Sequence, residues 1–171
     1  TGSYDPDTNT TYWGTGNPVP MFDPEFRPGD NLYTNSSIAL DADSGELKWH
    51  FQYTPGDYMD YDEVGSQLLV DTNVGGEARK VLAHFGRNGL FYSLDRASGS
   101  YISGTQYVTE LTWTKGLDPK TGLPLEYDPS KSLQSYAQGA LRRDGGNPIE
   151  GLSVELVDVE GRVRATTITE F

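Results

Sequence analysis

Apolar and polar residues alternate along much of this chain, and they almost never recur at the spacing of an amphipathic helix. Leu47, Trp49, Phe51 and Tyr53 fall on one side of an extended segment, with Lys48, His50 and Gln52 on the other. That alternation predicts a half-buried β-strand. Val81, Ala83 and Phe85 repeat it. Asn88-Gly89 follows as a hairpin signal, since both turn positions tolerate positive φ, and Leu90 to Leu94 makes the return strand. Near the end, Ser153 to Val159, Glu160-Gly161 and Arg162 to Ile168 predict a further hairpin. The stretch from Leu133 to Gly151 is rich in Gly, Arg and polar residues and reads as a loop or linker. The chain therefore divides into residues 1–132 and a loop-plus-hairpin tail, 133–171.

A strand–turn–strand unit recurs. Ala39-Leu40-Asp41-Ala42-Asp43-Ser44-Gly45-Glu46-Leu47-Lys48-Trp49 is matched by Ser93-Leu94-Asp95-Arg96-Ala97-Ser98-Gly99-Ser100-Tyr101. Tyr4 to Asn9 and Leu117 to Gly122 are weaker echoes of the same turn. Strands and turns repeating every roughly 40–50 residues point to propeller blades, with a β-sandwich of two similar hairpins as the alternative. Two or three blades cannot close a propeller, so the expected architecture is all-β and incomplete.

Composition narrows the partners. The 171 residues include 20 Gly, 10 Pro and 11 Tyr, which suits a turn-rich β protein. A net charge of −12 argues against a nucleic-acid or anionic-membrane partner. With no cysteine there is neither a disulfide framework nor a thiolate metal site. No apolar run approaches the roughly eighteen residues that suggest a membrane span. Thr1 to Asp5 reads as an interior start, not a targeting leader.

Specific chemistry enters through five runs: the turn-and-Trp unit Ala39 to Trp49, Tyr12-Trp13-Gly14-Thr15-Gly16-Asn17-Pro18, Arg27 to Tyr33, Thr54 to Asp62, and Arg87 to Arg96. Taken in their order along the chain they resemble the middle of the methanol/ethanol dehydrogenase family that uses pyrroloquinoline quinone, over Tyr4 to about Pro129. The resemblance implies a segment of an eight-bladed quinoprotein propeller in the periplasm. It also implies oxidation of a small alcohol to an aldehyde, with electrons passed on to a cytochrome c-type acceptor.

The resemblance also assigns roles. Asp60 stands where the family has its catalytic base, which takes the alcohol proton as a hydride leaves for the quinone; the same aspartate belongs to the metal site. Asn17 matches a neutral metal ligand. Asp62, two residues beyond Asp60, resembles the extra aspartate of lanthanide-dependent members, so the ion is calcium or a lanthanide. If the segment is extended, both carboxylates face one spot, and a cation between them relieves their repulsion. Arg87 would donate to the quinone carbonyl oxygens and stabilise arriving negative charge. Trp49 is assigned to packing between blades, and His50 and His84 to structure. Read without the family, each has an ordinary role: Asp60 a turn former, Asp62-Glu63 an exposed acidic turn, Asn17 a strand exit, Arg87 a hairpin-tip arginine.

Gly56, Met59 and Met21-Phe22-Asp23 depart from the family's usual residues on the substrate side, which implies a roomier pocket. The segment also lacks the family's acidic metal ligand, the tryptophan floor beneath the quinone and the adjacent-cysteine pair. Alone it is expected to bind quinone weakly and not to turn over alcohol. Two other classes remain: a non-catalytic propeller scaffold, and a calcium-stabilised β domain that binds carbohydrate.

Overall fold

A computed structural model describes residues 1–128 and the backbone of two later strands, and the chain forms two compact units, Thr1–Ser132 and Leu133–Phe171. The predicted linker from Leu133 to Gly151 lies outside the described residues.

The first unit holds two four-stranded antiparallel meanders. One runs β1 (Ser3–Asp5), β2 (Thr10–Gly14), β3 (Ser36–Asp41) and β4 (Leu47–Gln52). The other runs β5 (Leu68–Val74), β6 (Glu77–Phe85), β7 (Leu90–Asp95) and β8 (Tyr101–Gln106). Each has the strand order of a propeller blade. In the second unit, β9 (Ser153–Val157) and β10 (Val163–Ile168) pair antiparallel.

The recurring turn is one device used four times. The Asp41 carboxylate accepts the N–H groups of Asp43 and Ser44, and Gly45 closes the turn at φ +75°. Asp95 does the same for Ala97 and Ser98 ahead of Gly99 at φ +73°, and Asp118 for Lys120 and Thr121 ahead of Gly122. At Asp5 the left-handed position is taken by Asn9 at φ +48°, a residue that tolerates it.

These turns also dock one sheet on the next. Trp49 packs so tightly on Gly99 that a methyl there would lie 2.5 Å from its ring, and its Nε1 donates to the Arg96 carbonyl at 3.2 Å. Tyr101 meets Gly122 in the same way. Tyr12, Tyr53, Leu82, Tyr92 and Leu94 complete the core with Trp49. Buried Arg96 ties the sheets further, with Nε 3.0 Å from Asp5 and Nη2 3.1 Å from Asp71.

One expectation changes in detail. The β6–β7 connection is a four-residue loop, Gly86 to Gly89, and only Gly89 takes positive φ. Asn88 is buried instead. Its amide donates to Thr54 and Tyr92 while its oxygen accepts the Leu90 N–H.

Candidate functional site

Three connections meet on one side of this scaffold: the segment leaving β2 at Gly14, the excursion from Tyr53 to Gln67 between β4 and β5, and the Gly86–Gly89 loop. The middle one is organised by buried groups. Asp57 is fully buried, accepting the Met59 N–H at 2.8 Å through one oxygen and the Tyr61 N–H at 2.9 Å through the other. Arg27 fastens the same bend from the far side, donating to the carbonyls of Pro20, Met21 and Asp57. Burial is the main influence on its guanidinium, pulling its pKa below the ordinary value.

Curled in this way, the chain carries Asp60 at φ +62° and Asp62 at φ +39°. The extended geometry expected for this pair is therefore not what forms. Asp57 takes up the N–H groups a strand would have paired, and both aspartates occupy the left-handed region. The premise that an i, i+2 relationship aims both carboxylates one way does not hold here.

Asp62 nevertheless reaches the other two connections. Its Oδ1 accepts the main-chain N–H of Asn17 at 2.7 Å, and its Oδ2 lies 3.3 Å from Arg87 Nη1. Gly16 makes this approach possible, since a Cβ there would stand 2.9 Å from Oδ1. Asn17, Asp62 and Arg87 are thus brought together. Asn17 contributes its backbone to this contact, while its side-chain amide donates to the Pro18 carbonyl at 3.1 Å. Among the described residues, Asp60 has no hydrogen-bond or ion-pair partner, and no three His, Cys, Asp or Glu side chains are grouped to hold a metal. The oxygen donors brought together here are the Asp62 carboxylate and the neighbouring Asn17 amide, with Asp60 two residues along the chain. That set suits a hard cation but is too small to enclose one.

Residues that the sequence did not mark as functional hold this arrangement. Glu63 is buried, not part of an exposed acidic turn. Its N–H donates to the Thr15 carbonyl at 3.0 Å, and its Oε2 faces His84 Nε2 at 2.8 Å and accepts the Arg87 N–H at 3.2 Å. Beside Arg87, Tyr61 and Trp113 pack at 5.5 Å along a cavity of about 190 Å³ that Glu110 also lines. Burial, helped by Asp57, pushes the Tyr61 phenol up to about 12, so it remains a neutral donor at physiological pH.

Comparison with known proteins agrees with this architecture. The family described as PQQ: Glucose/ethanol/alcohol dehydrogenase, beta-propeller domain matches residues 1–109. Quinoprotein alcohol dehydrogenase PedH of Pseudomonas putida is 47% identical over 130 residues, 76% of this chain and 22% of that protein. The alcohol dehydrogenase (quinone) dehydrogenase subunit of Gluconobacter oxydans is 40% identical over 156 residues, 90% of this chain and 19% of its own. That match is too long to stop at residue 132, so it runs further than the recognisable motifs do. A solved europium-containing methanol dehydrogenase superposes with a TM-score of 0.70 at 37% identity, covering 74% of this chain and 22% of that one. The chain spans about a fifth of the length of these relatives. With its paired blade meanders and this degree of likeness, the chain belongs to the PQQ glucose/ethanol/alcohol dehydrogenase β-propeller family.

Proposed function

We propose that this chain supplies the catalytic base, a quinone-facing arginine and part of the cation site of a PQQ-dependent dehydrogenase that oxidises an alcohol to an aldehyde. The observation that carries the reading is Asp62, held between the Asn17 N–H and the Arg87 guanidinium two residues from Asp60, whose carboxylate has no partner among the described residues. Pyrroloquinoline quinone, when bound, provides the hydride acceptor. Asp60 takes the hydroxyl proton. Carboxylates in general are far weaker bases than alkoxides, so the transfer depends on close placement and concurrent loss of the hydride. Arg87, with its side chain 59% exposed beside the cavity, donates to quinone oxygen and offsets arriving negative charge. Asn17, Asp60 and Asp62 hold calcium or a lanthanide. Each Asp62 oxygen keeps a lone pair beyond its present donor, which leaves it able to ligate.

The working enzyme is longer than this chain, resides in the periplasm and passes electrons to a cytochrome c-type acceptor. The segment alone binds quinone weakly and is inactive. Gly56 and Met59 leave the substrate side open and adaptable, which favours alcohols larger than methanol. The test is to reconstitute the full-length protein with the quinone plus calcium or a lanthanide and to measure dye-linked oxidation across an alcohol series. Stoichiometric quinone uptake and turnover support the reading. A full-length protein that takes up no quinone would sink it.

A further inference from the structure

Arg87 has the most exposed side chain of the contacts at this site, so its aim has to come from the loop that carries it. That loop is anchored group by group. The Gly86 carbonyl accepts from the Tyr107 hydroxyl at 2.6 Å, the Asn88 carbonyl from Trp113 Nε1 at 2.8 Å, and the Arg87 N–H is taken by Glu63 Oε2. Glu63 is the only acidic side chain of the three anchors. It and His84 are almost wholly buried, at 0% and 1% side-chain exposure.

The cost of burying the Glu63 carboxylate is offset by two partners on one oxygen, His84 Nε2 at 2.8 Å and the Arg87 N–H at 3.2 Å, so the acid ties the Arg87 loop to the buried histidine. The backbone on either side packs closely: a Cβ at Gly14 would stand 1.9 Å from the Glu63 carbonyl oxygen, and one at Gly86 would stand 2.5 Å from Asn88 Oδ1 and 3.1 Å from Glu63 Oε1. Glu63 Oε1 and His84 Nδ1 have no hydrogen-bond partner among the described residues. His84 is itself braced by the Tyr53 ring at 4.7 Å. Through its own N–H to Thr15, Glu63 also joins the connection that carries Asn17.

We infer that Glu63, braced by His84, is a positioning residue: it sets the Arg87 loop, and with it the direction of the guanidinium past Asp62 toward the quinone. The inference rests on the proposed role of Arg87. It adds a second layer in which one buried acid couples the Asn17, Asp62 and Arg87 connections.

The test uses the full-length holoenzyme with Glu63→Ala, Glu63→Gln and His84→Phe, the last keeping a ring against Tyr53 while removing the nitrogen that faces Glu63. In Glu63→Ala, kcat per bound quinone falls about tenfold to a hundredfold, as loss of alignment does, while the alcohol KM stays within about twofold. Glu63→Gln, which can still accept the Arg87 N–H, recovers most of that loss. Two readouts stand apart from turnover. Amide exchange in the Gly86–Gly89 peptide accelerates in Glu63→Ala and, to a lesser extent, in His84→Phe. The absorption band of the bound quinone also shifts in the direction produced by Arg87→Lys.

A Glu63→Ala enzyme with wild-type kcat per quinone and an unmoved band overturns the inference while leaving the proposed function standing. If Glu63→Ala does not fold, His84→Phe decides by the same exchange and band measurements, and unchanged values there overturn it. A wild-type protein that binds no quinone overturns both.

Discussion

The Asp62 carboxylate lies 3.3 Å from the Arg87 guanidinium while its other oxygen accepts the Asn17 N–H at 2.7 Å, so one side chain links two connections that are far apart in sequence. With Arg87 holding one of its oxygens, Asp62 would serve in its proposed role as a ligand whose charge is already partly offset. A trivalent ion gains more than a divalent one from the remaining negative charge. In the reconstituted full-length enzyme, Asp62→Ala should lower lanthanide-supported turnover by about tenfold or more, and calcium-supported turnover much less. Metal titrations followed by activity check this; equal losses with both ions would count against a lanthanide-directed role.

Asp60 gives the sharpest catalytic expectation. Replacing it with Asn keeps its size but removes the proposed proton acceptor, so kcat should fall by about a hundredfold to ten-thousandfold. Quinone content, measured from absorbance of the purified variant, should change far less than kcat. A loss confined to quinone content would make Asp60 a binding residue only.

Blade docking can be tested at two glycines of the repeated turn. Gly45 and Gly99 have nearly the same φ, +75° and +73°, but only Gly99 faces a ring: a methyl on Gly99 would stand 2.5 Å from Trp49, whereas one on Gly45 would meet nothing within 4 Å. Gly45→Ala should therefore cost about 1–2 kcal/mol for the left-handed backbone alone. Gly99→Ala should add about 1–3 kcal/mol of overpacking. Denaturant melts of both variants measure the difference, and equal costs would mean that Trp49 yields freely.

The same turns predict an acid limit. The Asp41 carboxylate is held well below its ordinary pKa of 3.8, chiefly by the Ser44 N–H and then by Lys48. A group lowered on folding contributes stability above its unfolded pKa and loses it as pH falls toward the folded value. Asp41→Asn should therefore melt below the wild type at neutral pH, and the two curves should converge as pH drops below about 4. Thermal melts across an acid series check the sign; a gap that widens toward low pH would be the wrong one.

The β class, the repeated Asp–Ser–Gly turn and the packing role of Trp49 were legible in the sequence because each is local. Alternation sets a strand's faces, an Asp side chain caps the N–H groups two and three residues ahead, and glycine marks the left-handed turn. The family motifs likewise marked Asn17, Asp60, Asp62 and Arg87 as residues to watch. What tertiary structure alone decided was how those positions relate. Asp57, buried by the fold, draws in the Met59 and Tyr61 N–H groups and so takes Asp60 and Asp62 out of the extended form that alternation suggested. Glu63 and His84 looked like surface acid and strand filler, yet they meet 2.8 Å apart beneath the Arg87 loop. No local pattern announces such a pair: burial depends on which distant segments cover a residue, and here Glu63 meets His84, the Arg87 N–H and the Thr15 carbonyl, all from segments distant in sequence.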